Sequence, residues 1–282
     1  MTQGIAVVTG ATRGLGRGMA RALGSKGMTV YVTGRNAEDL ATVTGEIAAA
    51  GGDGHGVLCD HSDDAQVAAA FDRIGSAAGR IDLLINNAAA VYGPELVGSE
   101  PFWEKDVKLA EMIDVGLRSN YISTYHAAAH LLAAPKALVA HVSFYGAVSY
   151  FHGPAYGAAK AGTDKMAFDM GQDFAPTSVT CVSFWPGFIM TDALRAVPEE
   201  YLSQPMRDSL PLWETPEFSG LVLERLWRDP DCKSFNGKTV IGAALGRRFG
   251  IADTDGKQPR EFIGQLGDPA DRFFVPVADV PQ

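Results

Sequence analysis

Tyr156 and Lys160 stand four residues apart in the run YGAAK, a spacing that on a helix puts both side chains on one face, about one turn apart. A free phenol titrates near 10, so an acid and base usable near neutrality needs a downward shift of about 3 units, or ~4 kcal/mol, and a neighbouring ammonium supplies that sign. Ser143, thirteen residues before Tyr156, ends a β-rich run, where its hydroxyl can donate to a carbonyl oxygen. Near the N-terminus, TGATRGLG (Thr9 to Gly16) sets glycines at 10, 14 and 16, which let a diphosphate approach the N–H groups of a following helix. At the end of the second β-rich run, Gly34 stands where a carboxylate would meet a free ribose 2′-hydroxyl. Arg35 follows it, and with Arg13 offers cations that suit a 2′-phosphate, favouring NADP over NAD.

These residues need a frame that brings distant loops to one edge. Seven short apolar runs (Ile5 to Thr9, Thr29 to Thr33, His55 to Cys59, Ile81 to Ile85, Ala137 to Ser143, Val179 to Phe184 and Lys238 to Ile241) alternate with helix-periodic stretches. The stretches are Leu15 to Lys26, Ala37 to Ala50, Asp63 to Ala78, Lys105 to Ala133, Pro154 to Phe174 and Pro216 to Trp227. Runs apolar on both faces and separated by crossover helices predict a doubly wound α/β fold, a Rossmann-type parallel sheet of about seven strands with helices on both faces. No linker divides the chain, so one domain over residues 1–282 is expected, with a lid at 190–213 and an irregular tail at 257–282. The lid carries Leu194, Tyr201, Leu202 and Trp213, and the 91–104 loop carries Tyr92, Phe102 and Trp103, which together suit a hydrophobic substrate.

Composition narrows the partners. Of 282 residues, 46% are hydrophobic and 20% charged, ample for a core, and the formal charge of −9 repels phosphate backbones and anionic lipid surfaces. Nucleic acid and membrane are therefore not expected as partners, and no run approaches the ~18 apolar residues of a membrane span. The opening MTQGIAVVTG has no charged n-region and cleavage site, so no secretory leader and a cytoplasmic location are expected. Cys59, Cys181 and Cys232, odd in number and far apart, are expected as free thiols. His126 and His130 have the i, i+4 spacing of a helical metal pair but no acidic third ligand nearby, so no metal is assigned.

TGATRGLG, NNAA (Asn86 to Ala89), Ser143, YGAAK and WPGFIMT (Trp185 to Thr191) occur in the order and spacing of the short-chain dehydrogenase/reductase family, which the chain resembles over residues 4–245. FWE, DVGLRSNY, VTCVSFWPG and GRRFGIADTDGK make it most similar to the dehydrogenase/reductase SDR family member one group. The resemblance implies hydride transfer between NADPH and a small-molecule carbonyl or alcohol, with Tyr156 as acid/base, Lys160 on the nicotinamide ribose and Ser143 on the substrate oxygen. It places Gly10, Thr12, Arg13, Gly14, Leu15 and Gly16 on the diphosphate, Arg35 on the 2′-phosphate, Asp60 on the adenine and Asn86 on the cofactor side of the central strand. Pro186, Gly187, Ile189 and Thr191 would border the nicotinamide, and pairing of the long helices implies a homodimer or homotetramer. Two positions depart from the pattern: Ala89 replaces a Gly, and Gly116 replaces the Asn that completes a catalytic tetrad. Asn120, one turn on, is the candidate to hold the relay water instead. A dinucleotide-binding sensor or scaffold that has lost its chemistry with that Asn is the alternative.

Overall fold

Short runs of Val, Ile, Leu and Ala become strands here because both of their faces are covered. The computed structural model describes residues 4–276 other than 93–95, 97, 98, 199, 201 and 203. Its strands are β1 (Ile5–Val8), β2 (Thr29–Gly34), β3 (Asp53–Leu58), β4 (Leu83–Asn86), β5 (Ala137–Val142), β6 (Val179–Trp185) and β7 (Lys238–Ile241). They form a parallel sheet in the order β3-β2-β1-β4-β5-β6-β7. The main helices are α1 (Gly14–Ser25), α2 (Ala37–Ala49), α3 (Asp64–Ala78), α4 (Ser119–Leu132), α5 (Pro154–Asp173), α6 (Pro216–Arg228) and α7 (Gly242–Phe249).

Strand alternation divides the core in two. Ala6 and Val8 turn to one face, against Met19 and Leu23 of α1, Val43 and Ile47 of α2, and Phe218 and Leu223 of α6. Val7 turns to the other, against Phe71 and Ile74 of α3, Ala127 and Leu131 of α4, and Ala167 of α5. The fold is thus the Rossmann-type doubly wound sheet expected, and truncating a fully buried side chain such as Phe71 to Ala would cost about 3–5 kcal/mol. Local signals fix the helix ends: Asn36 accepts from the Glu38 and Asp39 amides at the start of α2, Asp63 does the same for α3, and Gly79 closes α3 in the left-handed region. All three cysteines are free and buried.

The expected single helix from Lys105 to Ala133 is broken. A 3₁₀ turn (Val107–Ala110) and a short helical turn (Glu111–Ile113) precede a kink at Val115 (φ −106°, ψ 90°) and Gly116 (φ 148°, ψ −34°), after which α4 begins. Glycine permits that second conformation, and a side chain would resist it. β3 starts two residues before the expected run, at Asp53.

The 190–213 segment contains short helices at Asp192–Arg195 and Gln204–Ser209 and a 3₁₀ turn at Leu210–Leu212, while the expected lid residue Tyr201 lies outside the described residues. The tail folds back on its own chain. Phe262 is buried against Tyr145, whose hydroxyl accepts its amide at 3.0 Å, and Asp271 accepts from the Thr239 amide and hydroxyl at 2.6 and 2.7 Å. Tail residues 277–282 lie outside the described residues. Strand order reverses between β1 and β4, which opens a crevice at the carboxyl ends of the strands.

Candidate active site

The loops that meet at this edge begin with the glycine run. Thr9 anchors it: its hydroxyl accepts the Asn87 and Ala88 amides at 2.9 and 3.0 Å, tying the end of β1 to the end of β4. Gly10 lies at φ 61°, and a Cβ there would fall 2.8 Å from the Ala88 Cα. A Cβ at Gly16 would fall 2.5 Å from Asn87 Nδ2 and 2.8 Å from the Gly10 carbonyl oxygen, so methyl groups at these positions would push the loop away from the end of β4 and distort the cradle. α1 starts with no side-chain cap and no acidic residue in its first turn, which leaves its first N–H groups and positive dipole end for an anion. These features fit a dinucleotide diphosphate. Across the loop, a Cβ at Gly14 would lie 3.6 Å from Thr191 Cγ2, so the structure brings the glycine run and the segment after β6 together.

Arg35 and Arg13 are exposed beside this cradle, and neither forms an ion pair among the described residues. Asp60 is held below the usual carboxylate range by the Ser62 amide and hydroxyl, with a smaller contribution from the Arg35 charge. Gly34 is small for a steric reason: a Cβ there would run into Thr12 Cγ2 at 2.3 Å.

Asn86 departs from its expected place. Its buried amide donates to Thr124 Oγ1 at 2.8 Å and lies 3.2 Å from His141 Nδ1, turned into the sheet toward α4 and away from the glycine run. Asn87 supplies the brace instead, donating to the Thr9 and Gly10 carbonyls at 2.9 and 3.1 Å. Adjacent residues leaving a strand point oppositely, so only one of the pair can face the loop.

Tyr156 and Lys160 share a face of α5, as their spacing requires, and the Lys160 ammonium lies 5.4 Å from the Tyr156 ring centroid. The ammonium donates to the Val142 carbonyl at 3.1 Å, and burial brings its pKa down to about 8 against the opposing charge of Asp164. The phenol shows no downward shift. Burial among Phe151, His152, Leu109 and Met112 pushes its pKa up, and this outweighs an ammonium spent on the end of β5. Gly146 admits the ring, since a Cβ there would fall 2.6 Å from Tyr156 Cε1. Ser143 is 1% exposed, and its hydroxyl donates to the Lys160 carbonyl at 3.1 Å, turned toward α5.

Asn120 makes no direct hydrogen bond to this pair among the described residues. Its amide donates to the Gly116 carbonyl at 2.6 Å, which also accepts from Thr163. The kink puts Gly116 opposite the other departing residue: a Cβ on Gly116 would meet only the Ala89 Cβ, at 3.9 Å. His130 packs its ring over Gly75 of α3, and the described residues contain no group of His, Cys, Asp or Glu suited to a metal.

The segment Pro186 to Thr191 is fixed by a residue that no motif marks. The Glu214 amide donates to the Phe188 carbonyl and its carbonyl accepts the Met190 amide, both at 2.9 Å. Its carboxyl is buried, accepts from Ser219 at 3.2 Å, and is pushed up to about 8 by burial. Phe188 in turn stacks on Trp213, 5.2 Å between centroids.

The chain matches the short chain dehydrogenase family model over residues 4–202. It is 35% identical to dehydrogenase/reductase SDR family member 1 of Homo sapiens and 33% identical to that of Mus musculus, each over 92% of this chain and 86% of the relative. A solved structure of an actinorhodin polyketide ketoreductase variant with NADPH has a TM-score of 0.74 at 23% identity, over 85% of this chain and 95% of that one, a likeness of fold. No helix among the described residues is long and apolar enough to cross a membrane. With the family's motifs standing at the carboxyl edge of its sheet, this chain belongs to the short-chain dehydrogenase/reductase family of oxidoreductases, which bind a nicotinamide dinucleotide and act on small molecules.

Proposed function

We propose that the protein is an NADPH-dependent reductase of hydrophobic carbonyl compounds, with Tyr156 as the proton donor. The observation that carries the reading is the Tyr156–Lys160 face of α5 standing at the same sheet edge as an anion cradle flanked by two arginines without ion-pair partners. Gly10, Thr12, Arg13, Gly14, Leu15 and Gly16 would hold the diphosphate, Arg35 the 2′-phosphate, Asp60 the adenine, Lys160 the ribose, and Pro186, Gly187, Ile189 and Thr191 the nicotinamide side. When bound, the dinucleotide supplies a hydride. Burial raises the Tyr156 pKa further above neutrality, so the phenol would be present in the protonated form that can give a proton to a carbonyl oxygen. Ser143 would turn about χ1 to donate to the same oxygen and stabilise the charge that develops there. Phe144, Phe151 and Phe188, clustered next to Tyr156, support an apolar substrate. Exposed Tyr121 and Tyr125 on α4, stacked 6.5 Å apart, support a homo-oligomer paired through that helix.

The alternative, a dinucleotide-binding sensor, draws on Asn120 being turned to Gly116 and Ser143 being turned inward. One experiment separates them. Fluorescence titration with NADPH and NADH, followed by a panel of aldehydes and ketones read at the nicotinamide absorbance, should give tight NADPH binding and turnover. Tyr156→Phe should abolish turnover and leave binding intact. Binding without turnover on any carbonyl would favour the sensor.

A further inference from the structure

Asp164 stands one turn past Lys160 on α5, is 3% exposed, and belongs to no motif of the sequence. Ser183 donates to its Oδ1 at 2.5 Å, and the Trp185 indole N–H lies 3.0 and 3.2 Å from its two carboxyl oxygens. The Ser143 hydroxyl faces it from the end of β5. A single carboxyl therefore joins the helix that carries Tyr156 and Lys160 to the last residues of β6, directly before Pro186 and Gly187.

Lys160 lacks an ion-pair partner among the described residues: its one protein acceptor is the Val142 carbonyl, and the charge that opposes its desolvation is that of Asp164. A buried ammonium without a counter-charge gives up its proton. We propose that Asp164 is a positioning residue for the reaction, whose carboxylate, pinned to β6 by Ser183 and Trp185, keeps the Lys160 ammonium charged on the Tyr156 face of α5. This inference rests on the role given to Lys160 above.

The charged groups facing Asp164 are Lys160 on its own helix and Asp271 of the C-terminal segment, itself held by Thr239. Burial raises the Asp164 carboxyl to about 6, with the Ser183 and Trp185 donors opposing, so it is ionised across the range in which Lys160 titrates near 8. At one helical turn of separation in a partly desolvated site, loss of that charge should lower the Lys160 pKa by about one to two units.

The test is an NMR titration of the full chain carrying ¹³C-labelled lysine, with the Lys160 resonance assigned through Lys160→Arg. We expect that resonance to titrate near 8 in the wild type and about one to two pH units lower in Asp164→Asn. Ser183→Ala, which loosens the carboxylate and keeps its charge, should stay within about half a unit of the wild type. The alkaline limb of carbonyl reduction should move acidward in Asp164→Asn by the same interval as the resonance. An unchanged titration in Asp164→Asn overturns the proposal. An equal shift in Ser183→Ala also overturns it, because packing and not charge would then be the cause. Should Asp164→Asn not fold, Asp164→Ser is read in the same way. The NMR reading needs no turnover, so a chain that reduces no carbonyl defeats the reductase reading and leaves this measurement intact.

Discussion

Gly116→Ala tests whether the kink before α4 is a built feature. At φ 148° and ψ −34° an L side chain is strained by about 1–3 kcal/mol, and there is no crowding to add, because the new methyl would meet only the Ala89 Cβ at 3.9 Å. Replacing glycine also narrows the unfolded ensemble, which returns about 0.4–1 kcal/mol. The net expectation is a loss of about 1–2 kcal/mol, or roughly 2–6 °C in Tm for a chain of this size. Gly45, inside α2 with nothing within 4 Å of its added methyl, is the matched control, and Gly45→Ala should stabilise by about 0.5–1 kcal/mol. Thermal unfolding of both variants, followed by circular dichroism, gives the comparison. Equal and positive shifts would refute the reasoning, since the backbone at 116 would then accept a side chain freely. Gly116→Asn should lose stability like Gly116→Ala, and a gain in turnover despite that loss would show that proton supply limits the reaction.

Arg35→Ala should weaken NADPH binding by about 1.5–3 kcal/mol and leave NADH nearly unchanged, as fluorescence titration would report; equal losses would remove Arg35 from the 2′-phosphate. Asn87→Ala should weaken both cofactors alike, by about 1–2 kcal/mol, because it frees the Thr9 and Gly10 carbonyls that shape the cradle; a loss confined to NADPH would contradict that. Glu214, raised from the carboxylate range to about 8, contributes stability that is complete at low pH and is lost as pH rises toward 8. Glu214→Gln should therefore flatten the fall in Tm between about pH 5 and 8, and an unchanged slope would assign that fall to other groups.

Most of the frame could be read from order and periodicity. The strands lie within about two residues of the apolar runs because a doubly wound sheet buries both faces of each strand, leaving a contrast with the helices that a linear reading detects. The places of Tyr156, Lys160, Ser143 and the glycines in the fold were legible for the same reason: each depends on spacing within one element or on position at a strand end. What depends on direction was not. Nothing in NNAA says which asparagine leaves β4 toward the glycine run, and the bend at Gly116 has no proline to announce it. Asp164 and Glu214 stayed hidden because a carboxylate on a helix or loop reads as solvated, whereas only the fold shows which strand end covers it.

The phenol makes the same distinction at the point where it matters most for the chemistry. From YGAAK the adjacent ammonium should lower the Tyr156 pKa, but the sign of a shift is set by whichever is stronger, the charge or the loss of water. Here Phe151, His152, Leu109 and Met112 pack against the partly buried ring, Gly146 admits it, and Lys160 turns its ammonium to the Val142 carbonyl. Desolvation therefore moves the two pKa values in opposite senses, raising the phenol and lowering the ammonium to about 8, and each shift favours the uncharged form of its group. In the proposed reductase such a phenol would give its proton to the carbonyl oxygen, and the Asp164 charge one turn along α5 opposes the slide of the Lys160 ammonium toward neutrality.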